Sequence, residues 1–352
     1  MDNEYKKIEN YLKKCSIPES SYQSTKKISD NPKISIISPV YNTGKFLLRL
    51  LRSIQYQNFH DLEIILIDDC SEDNSLELMK RYQKEDKRIK LIKNKKNMGT
   101  FSSRNVGILK SSGNFIMIPD PDDILLENTL KYFYYFAMKY NYELIRFNVY
   151  LSYGKTFFGN ITQKLEERPI YQPELSTYIF YGLGFLKQVD FNVCNKFIKR
   201  DTLIKSLNIL NKTELKRYMT CHEDGILNYI LYRTAKSSYF LKKFGYYYIK
   251  NNYKYREIYL CFKNLKFSFI HIIYVFYFSK NTKYEKDMTN AIFNRLIYHF
   301  NIKDKLYLIN KEYKFFIDII DTLNQNEFFL NKYKEYLNYF KLYFSKKLLH
   351  SI

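Results

Sequence analysis

No stretch of this chain is apolar for long enough to cross a bilayer. The longest run, Phe267 to Phe278, is broken by Ser268 and His271 and falls well short of the ~20 residues a spanning helix needs. A core or interfacial helix is expected there. The amino terminus, Met1-Asp2-Asn3-Glu4, has no apolar segment behind it, so no secretory signal is expected. Cysteine is scarce: Cys15, Cys70, Cys194, Cys221 and Cys261 are odd in number, far apart and form no C-x-x-C pair. That argues against a disulfide framework and for a reducing compartment. The expected location is cytoplasmic, with peripheral attachment to the cytosolic face of a membrane left open. Five scattered histidines make a zinc centre a poor fit, and His222-Glu223-Asp224-Gly225 runs into Ile226 where a zincin would need its second histidine. A phosphate-cradling loop is missing too, because Pro39 stands where a P-loop needs its first glycine. This counts against a nucleotidyltransferase built on such a loop.

Acidic charge is also in short supply. Lys and Arg total 57 against 36 Asp and Glu, a formal charge of +21 over 352 residues, which invites a nucleic-acid or anionic-membrane reading. The lysines, however, are spread through expected helices and loops rather than gathered in one stripe. They read as a chain-wide bias, and nucleic acid is disfavoured as a partner. A basic, non-catalytic binding protein remains the alternative reading, but it leaves the ordered acids described below unexplained. Hydrophobic residues at 46% and charged residues at 26% place the chain among ordinary globular proteins.

Three regions are expected: a polar leader over 1–31, an α/β domain over 32–250 and a helical extension over 251–352. In the second region apolar runs of strand type alternate with helical spacing. Ile34 to Val40 reads as a strand and Phe46, Leu47, Leu50, Leu51 and Ile54 as a helix. Glu63 to Ile67, Ile89 to Ile92 and Phe115 to Ile118 read as three further strands. Ser71 or Asp73 can cap the helix carrying Leu76, Met79 and Tyr82. Such alternation predicts right-handed crossovers and a mostly parallel sheet with flanking helices. Beyond about Lys250, apolar residues recur at three-and-four spacing, as in Leu306, Ile309, Tyr313, Phe316 and Ile320.

In an open parallel sheet, ligands bind outside the carboxyl ends of the strands, where helix N-termini also point. Pro39-Val40-Tyr41-Asn42, Asp68-Asp69 and Asp120-Pro121-Asp122-Asp123 are each expected to end a strand and so to share one edge. Three carboxylates in four residues repel one another unless a cation relieves them. An all-oxygen set suits a hard ion, Mg²⁺ or Mn²⁺, which also bridges substrate phosphates. The plainer reading is a solvated acidic turn capping the next helix; position on the ligand edge favours the metal. Tyr41, Asp69 and Arg104 carry little weight singly. A second acidic station, Glu223-Asp224, reads either as a helix cap or as part of a site.

Taken together, these segments resemble the family 2 glycosyltransferases of GT-A (Rossmann-like) fold. The resemblance runs from about Pro32 to Lys250. It is carried by ISIISPVYN from Ile34 to Asn42, IDDCSEDNS from Ile67 to Ser75, Asn97-Met98-Gly99 with Arg104-Asn105, Asp120-Pro121-Asp122-Asp123, Asn195-Lys196 with Arg200, and Glu223-Asp224. It implies an inverting transfer of sugar from a nucleotide-sugar, a UDP-sugar, to a hydroxyl of a glycan, lipid-linked or protein acceptor. By the same resemblance Tyr41 stacks on the base and Asp69 hydrogen-bonds it, with Pro39, Arg104 and Asp120 beside the donor. Asp122 or Asp123 contacts Mn²⁺ or Mg²⁺, and Asp224 is the general base. Cys70 stands where the family commonly has Gly, Pro121 where Ser is common, and Ile249-Lys250 where an Arg is usual.

Overall fold

The computed structural model of the chain describes residues 2–15, 29–153, 156–161, 167–172, 192–211 and 223–250, with positions 338 and 342. The chain divides into two compact units, and every element below belongs to the one formed by Met1–Gly182 and Lys187–Asn252. The helices expected after Lys250, together with His222, Cys221 and Cys261, lie outside the described residues.

Four strands form the expected parallel half. They are β1 (Ile34–Val40), β2 (Leu62–Asp68), β3 (Ile89–Lys93) and β4 (Phe115–Met117), joined by α2 (Gly44–Gln55), α3 (Ser75–Glu85) and α4 (Thr100–Lys110) in the spatial order β3-β2-β1-β4. Every residue of β1 and β2 is buried, as a strand covered on both faces requires, and this explains their near-continuous apolar sequence. The register brings Val40, Asp68 and Lys93 to one level, so the carboxyl ends are flush. Alternation along the strands separates two layers. Ile34, Ile36, Ile64 and Leu66 pack with Leu47, Leu50 and Leu51 of α2 and Met79 of α3. The opposite face takes α4, whose Gly107 lies flush on the sheet: a Cβ there would meet Ile37 at 2.4 Å and Ile67 at 2.8 Å.

The sheet then changes character. Beyond β4 come β9 (Lys196–Lys199), β6 (Leu144–Tyr153), β10 (Ser237–Lys250) and β5 (Ile124–Leu125). β9 is antiparallel to both β4 and β6, β6 and β10 run parallel, and β5 is antiparallel to β10. β7 (Thr156–Ile161) pairs with β6, and β8 (Pro169–Tyr171) with β10. Three helices complete this half: α5 (Thr129–Tyr140), α6 (Arg200–Asn211) and α7 (Glu223–Thr234).

The polar leader needs correcting. Asp2–Cys15 forms a helix, α1, rather than a tail. Tyr11 and Cys15 are buried in a small cluster with Ile124, Leu126, Tyr150 and Tyr247. The Tyr11 hydroxyl donates to the Leu125 carbonyl at 3.0 Å. Two buried side chains four positions apart are too few to read as a periodic face, yet they anchor the helix beside β5.

Candidate active site

The first shared-edge element is the turn after β1. Asn42, at φ 52°, is held by its own amide oxygen, which accepts from the Glu72 N–H at 2.8 Å and the Asp73 N–H at 3.3 Å. Asp73 accepts from the N–H groups of Ser75 and Gly44. Burial pushes its carboxyl up, but these bonds more than reverse that and hold it below the ordinary value. The carboxylate thus sits just before α3, where a helix N-terminus favours negative charge, while the cap position itself falls to Asn74 rather than to Ser71 or Asp73. Laced to this turn, Tyr41 stays 44% exposed at the rim, with a ring face free for stacking.

Asp69 takes a more constrained position. Its Oδ1 accepts from the Asn94 amide at 2.8 Å and the Met98 N–H at 2.9 Å, and its Oδ2 from the Gly99 N–H at 2.8 Å. Gly99, at φ 82°, opens α4, a conformation that costs a side-chain-bearing residue most. Asp69 therefore fixes the start of α4 and keeps acceptor capacity on Oδ2, since a carboxylate offers about four lone-pair sites.

Arg104, one turn before Gly107, is buried. Its guanidinium bridges Asp120, at 3.1 Å, and Asp224 in the first turn of α7. This pairing joins the two acidic stations, 104 residues apart in sequence, and directs Arg104 neither to solvent nor to a free surface. Asp120 is pushed up to about 6, chiefly by burial, with Asp224 and Asp122 adding to the shift and Arg104 opposing it.

The four residues of the acidic cluster face different ways. Asp120, Pro121 and Asp122 line a cavity of about 250 Å³ with Pro39, Val40, Tyr41, Thr43, Asp69 and Thr100. Arg49 donates to the Asp122 carbonyl at 3.4 Å. Asp123 is turned into the fold instead: its Oδ1 accepts from the Ile249 N–H at 2.8 Å, its Oδ2 from the Tyr246 hydroxyl at 2.7 Å, and it is fully buried. Burial first, then Asp120 and Asp122, push its carboxyl well above the usual range. Paired with Asp122 in the expectation of a metal ligand, Asp123 here ties the acidic turn to β10 and does not reach the cavity. The reason is tertiary: adjacent side chains of a turn diverge, and β10 supplies two donors on the inner side.

Tyr246 is the residue sequence reasoning missed. Besides donating to Asp123 it accepts from the Asp120 N–H at 2.9 Å. Its place in a Tyr-Tyr-Tyr run, in a chain with 36 tyrosines, gives no means of singling it out. Asn195, Lys196 and Arg200 are not among the residues that line this cavity. Lys196 donates to Asn195 at 3.0 Å, and Arg200 donates to the Ser111 carbonyl at 2.8 Å, clamping α6 to the turn before β4.

Among the described residues no three His, Cys, Asp or Glu side chains gather as a ready cation cage. The chemistry of Asp120 and Asp122, at the cavity with Asp69, still fits a hard cation: their donors are carboxylates, and the repulsion that adds to burial in raising Asp120 is what a divalent ion relieves.

A parallel Rossmann-like half extended by an antiparallel half, with acids and an exposed ring on the carboxyl edge, is the architecture of a GT-A glycosyltransferase. Residues 35–205 match the model of "Glycosyl transferase family 2". The fold is similar to that of S. aureus TarS, solved in complex with UDP, at a TM-score of 0.61 and 19% identity over 91% of this chain and 90% of that one. The glycosyltransferase GlyG of Streptococcus pneumoniae serotype 4 is 34% identical over 117 residues, 33% of this chain and 39% of GlyG. A Campylobacter jejuni GalNAc(5)-diNAcBac-PP-undecaprenol beta-1,3-glucosyltransferase is 40% identical over 100 residues, 28% of this chain and 32% of that protein. The chain thus spans well under half the length of these two curated relatives. Over residues 35–205, just under half of its length, the chain is similar to the family 2 glycosyltransferases.

Proposed function

We propose that the protein is an inverting glycosyltransferase that takes a sugar from a nucleoside diphosphate donor, a UDP-sugar, and passes it to an acceptor hydroxyl. The observation that carries this reading is the joining of the cavity acids to Asp224 through Arg104, which brings a donor station and a candidate base to one edge of the sheet. The base of the nucleotide stacks on Tyr41 and reaches the remaining acceptor capacity of Asp69. Asp122 and Asp120 would hold Mg²⁺ or Mn²⁺. Such an ion supplies charge stabilisation to a departing diphosphate.

Asp224 takes the proton from the acceptor hydroxyl as the new bond forms, on the side opposite the leaving group. Arg104 holds Asp224 oriented before the donor arrives. An incoming diphosphate competes for the guanidinium and so loosens its hold on the base. A GlcNAc-type sugar is suggested only by the TarS complex with UDP-GlcNAc, and a lipid-linked acceptor only by the Campylobacter relative.

The test is thermal melting with UDP, with and without Mn²⁺. The expected result is a larger stabilisation by UDP when the metal is present, since a ligand bound only by the folded state raises stability by mass action. Equal shifts in excess chelator would remove the metal from the reading, and no shift with any nucleoside diphosphate would remove the donor. Tyr41→Ala is expected to weaken UDP binding while leaving the metal requirement in place.

A further inference from the structure

α5 carries more aromatic surface than its core contact uses. Leu130, Phe133 and Ala137, at three-and-four spacing, are buried against the sheet. The outer side holds Tyr132 at 43%, Tyr135 at 59%, Met138 at 55% and Tyr140 at 49% exposure, and Tyr171 of β8 is 55% exposed. Elsewhere away from the cavity, Leu109 and Ile209 are exposed on helices of their own. The rings form a continuous layer. Tyr132 stacks on Phe136 at 6.1 Å, Phe136 meets Tyr140 at 4.8 Å and Tyr142 at 5.9 Å, and Tyr142 meets Tyr239 at 5.1 Å. Tyr171 interacts with Tyr142 at the lower margin.

Cations are set into this layer. Lys243 lies 4.8 Å over the Tyr132 ring and Lys139 5.2 Å over Tyr140, while Lys131 is exposed on the same helix. The acids lie around it: Glu127 precedes the helix, Asp61 is beside Tyr134, and Glu167 is beside Tyr239. The outer face of a helix is convex, so it offers no groove for a peptide or a small molecule. Clustered exposed rings mark a surface that something covers. Tyrosines, with an apolar body and a polar tip, and lysines with long apolar stems suit the boundary between water and lipid headgroups.

We propose that the outer face of α5, with Tyr171 and Lys243, docks on an anionic membrane surface, the rings entering the headgroup layer and the lysines meeting lipid phosphates. This rests on the face alone and not on the transfer reading. Three lysines and a few half-exposed rings make the attachment reversible and weakened by salt.

The test is co-sedimentation of the full chain with vesicles of phosphatidylcholine alone or containing phosphatidylglycerol. Binding is expected only with the anionic lipid. Lys131→Glu, Lys139→Glu and Lys243→Glu together should lower it by tenfold or more, each lysine near an anionic surface contributing roughly fivefold. Tyr132→Ser, Tyr135→Ser and Met138→Ser together should also weaken it, with circular dichroism confirming that both variants fold. Charge reversal at the exposed Lys80 and Lys84 of α3 and Lys87 just beyond it makes the same change in net charge and should leave most of the binding. An equal loss in that control, parent-like binding by both α5 variants, or no binding by the parent would overturn the proposal. So would a dimer, seen by analytical ultracentrifugation without vesicles, that the α5 variants dissolve, because a second copy would then be the cover.

Discussion

At the amino end of the parallel strands Glu63 is buried among donors, whereas at the carboxyl end Asp120, Asp122 and Asp123 crowd one another. Glu63 accepts from the Ser35 hydroxyl at 2.5 Å and from the N–H groups of Ser112 at 2.6 Å and Gly113 at 3.3 Å, and it pairs with Lys90 at 2.6 Å. Burial pushes its carboxyl up, but Lys90, Ser35 and Ser112 more than reverse this, so it is held below the ordinary value. At the other end burial and like charges win, and Asp120 rises to about 6. One sheet therefore holds a carboxylate whose donors keep it below the ordinary value, and a cluster in which burial and neighbouring acids raise Asp120 and Asp123 in spite of their own partners. The contrast illustrates how an active site retains charge repulsion that the rest of the fold avoids.

The largest expected effect lies at the carboxyl end. Asp224→Asn keeps size and hydrogen-bonding capacity but cannot take a proton, so sugar transfer should fall by about 10²–10⁴-fold with UDP and Mn²⁺ still bound. Turnover within a few-fold of the parent would take Asp224 out of the mechanism, and lost donor binding in a folded variant would make it a donor-site residue. Next, Asp122→Ala should abolish the metal-dependent part of the UDP stabilisation, the whole of which is about 3 kcal/mol with UDP at about a hundred times its Kd. Parent-like melting with UDP and Mn²⁺ would place the cation elsewhere.

The amino end should respond in the opposite sense. Glu63→Gln is expected to destabilise the fold by about 1–3 kcal/mol, the range for disturbing a buried hydrogen-bonded group, with the UDP response unchanged. In the parent, the contribution of Glu63 is complete above its unfolded value near 4.5 and is lost as pH falls through its lower folded value. Acid melts should therefore separate parent and variant most above pH 5 and least in strong acid. A variant as stable as the parent at neutral pH would end the contrast.

The smallest effect concerns Asp120. Its folded value is raised, so metal-free protein should lose stability as pH climbs from about 3.8 through 6. Asp120→Asn should flatten this part of the profile and stabilise the chelated protein slightly at pH 7, by less than about 1 kcal/mol, while activity falls. Thermal melts in chelator between pH 4 and 7 check it; an unchanged slope would show that Arg104 already compensates the charge.

The parallel half was legible because its physics is local. Apolar runs such as ISIISPV and LEIILID are what doubly covered strands require, and their spacing from amphipathic helices implies the crossover hand. The shared edge of Tyr41, Asp69 and Asp120 followed from that topology. The antiparallel half was not legible in the same way. β10 pairs with β6 in parallel through two register shifts, and β5 is two residues long, so pairings across about a hundred residues decide where each side chain faces.

The sequence by itself determined the parallel core, the edge on which ligands converge and the residue types gathered there, because strand alternation and helix spacing act over a few residues at a time. Only the tertiary structure decided how those residues divide the work. Asp122 faces the cavity while Asp123 turns to Tyr246 and Ile249, and Arg104 spans Asp120 and Asp224. α1 docks through Tyr11 and Cys15. Each outcome depends on a donor or an apolar surface delivered by a distant segment, and buried polar groups settle on whichever partner the assembled fold places within reach.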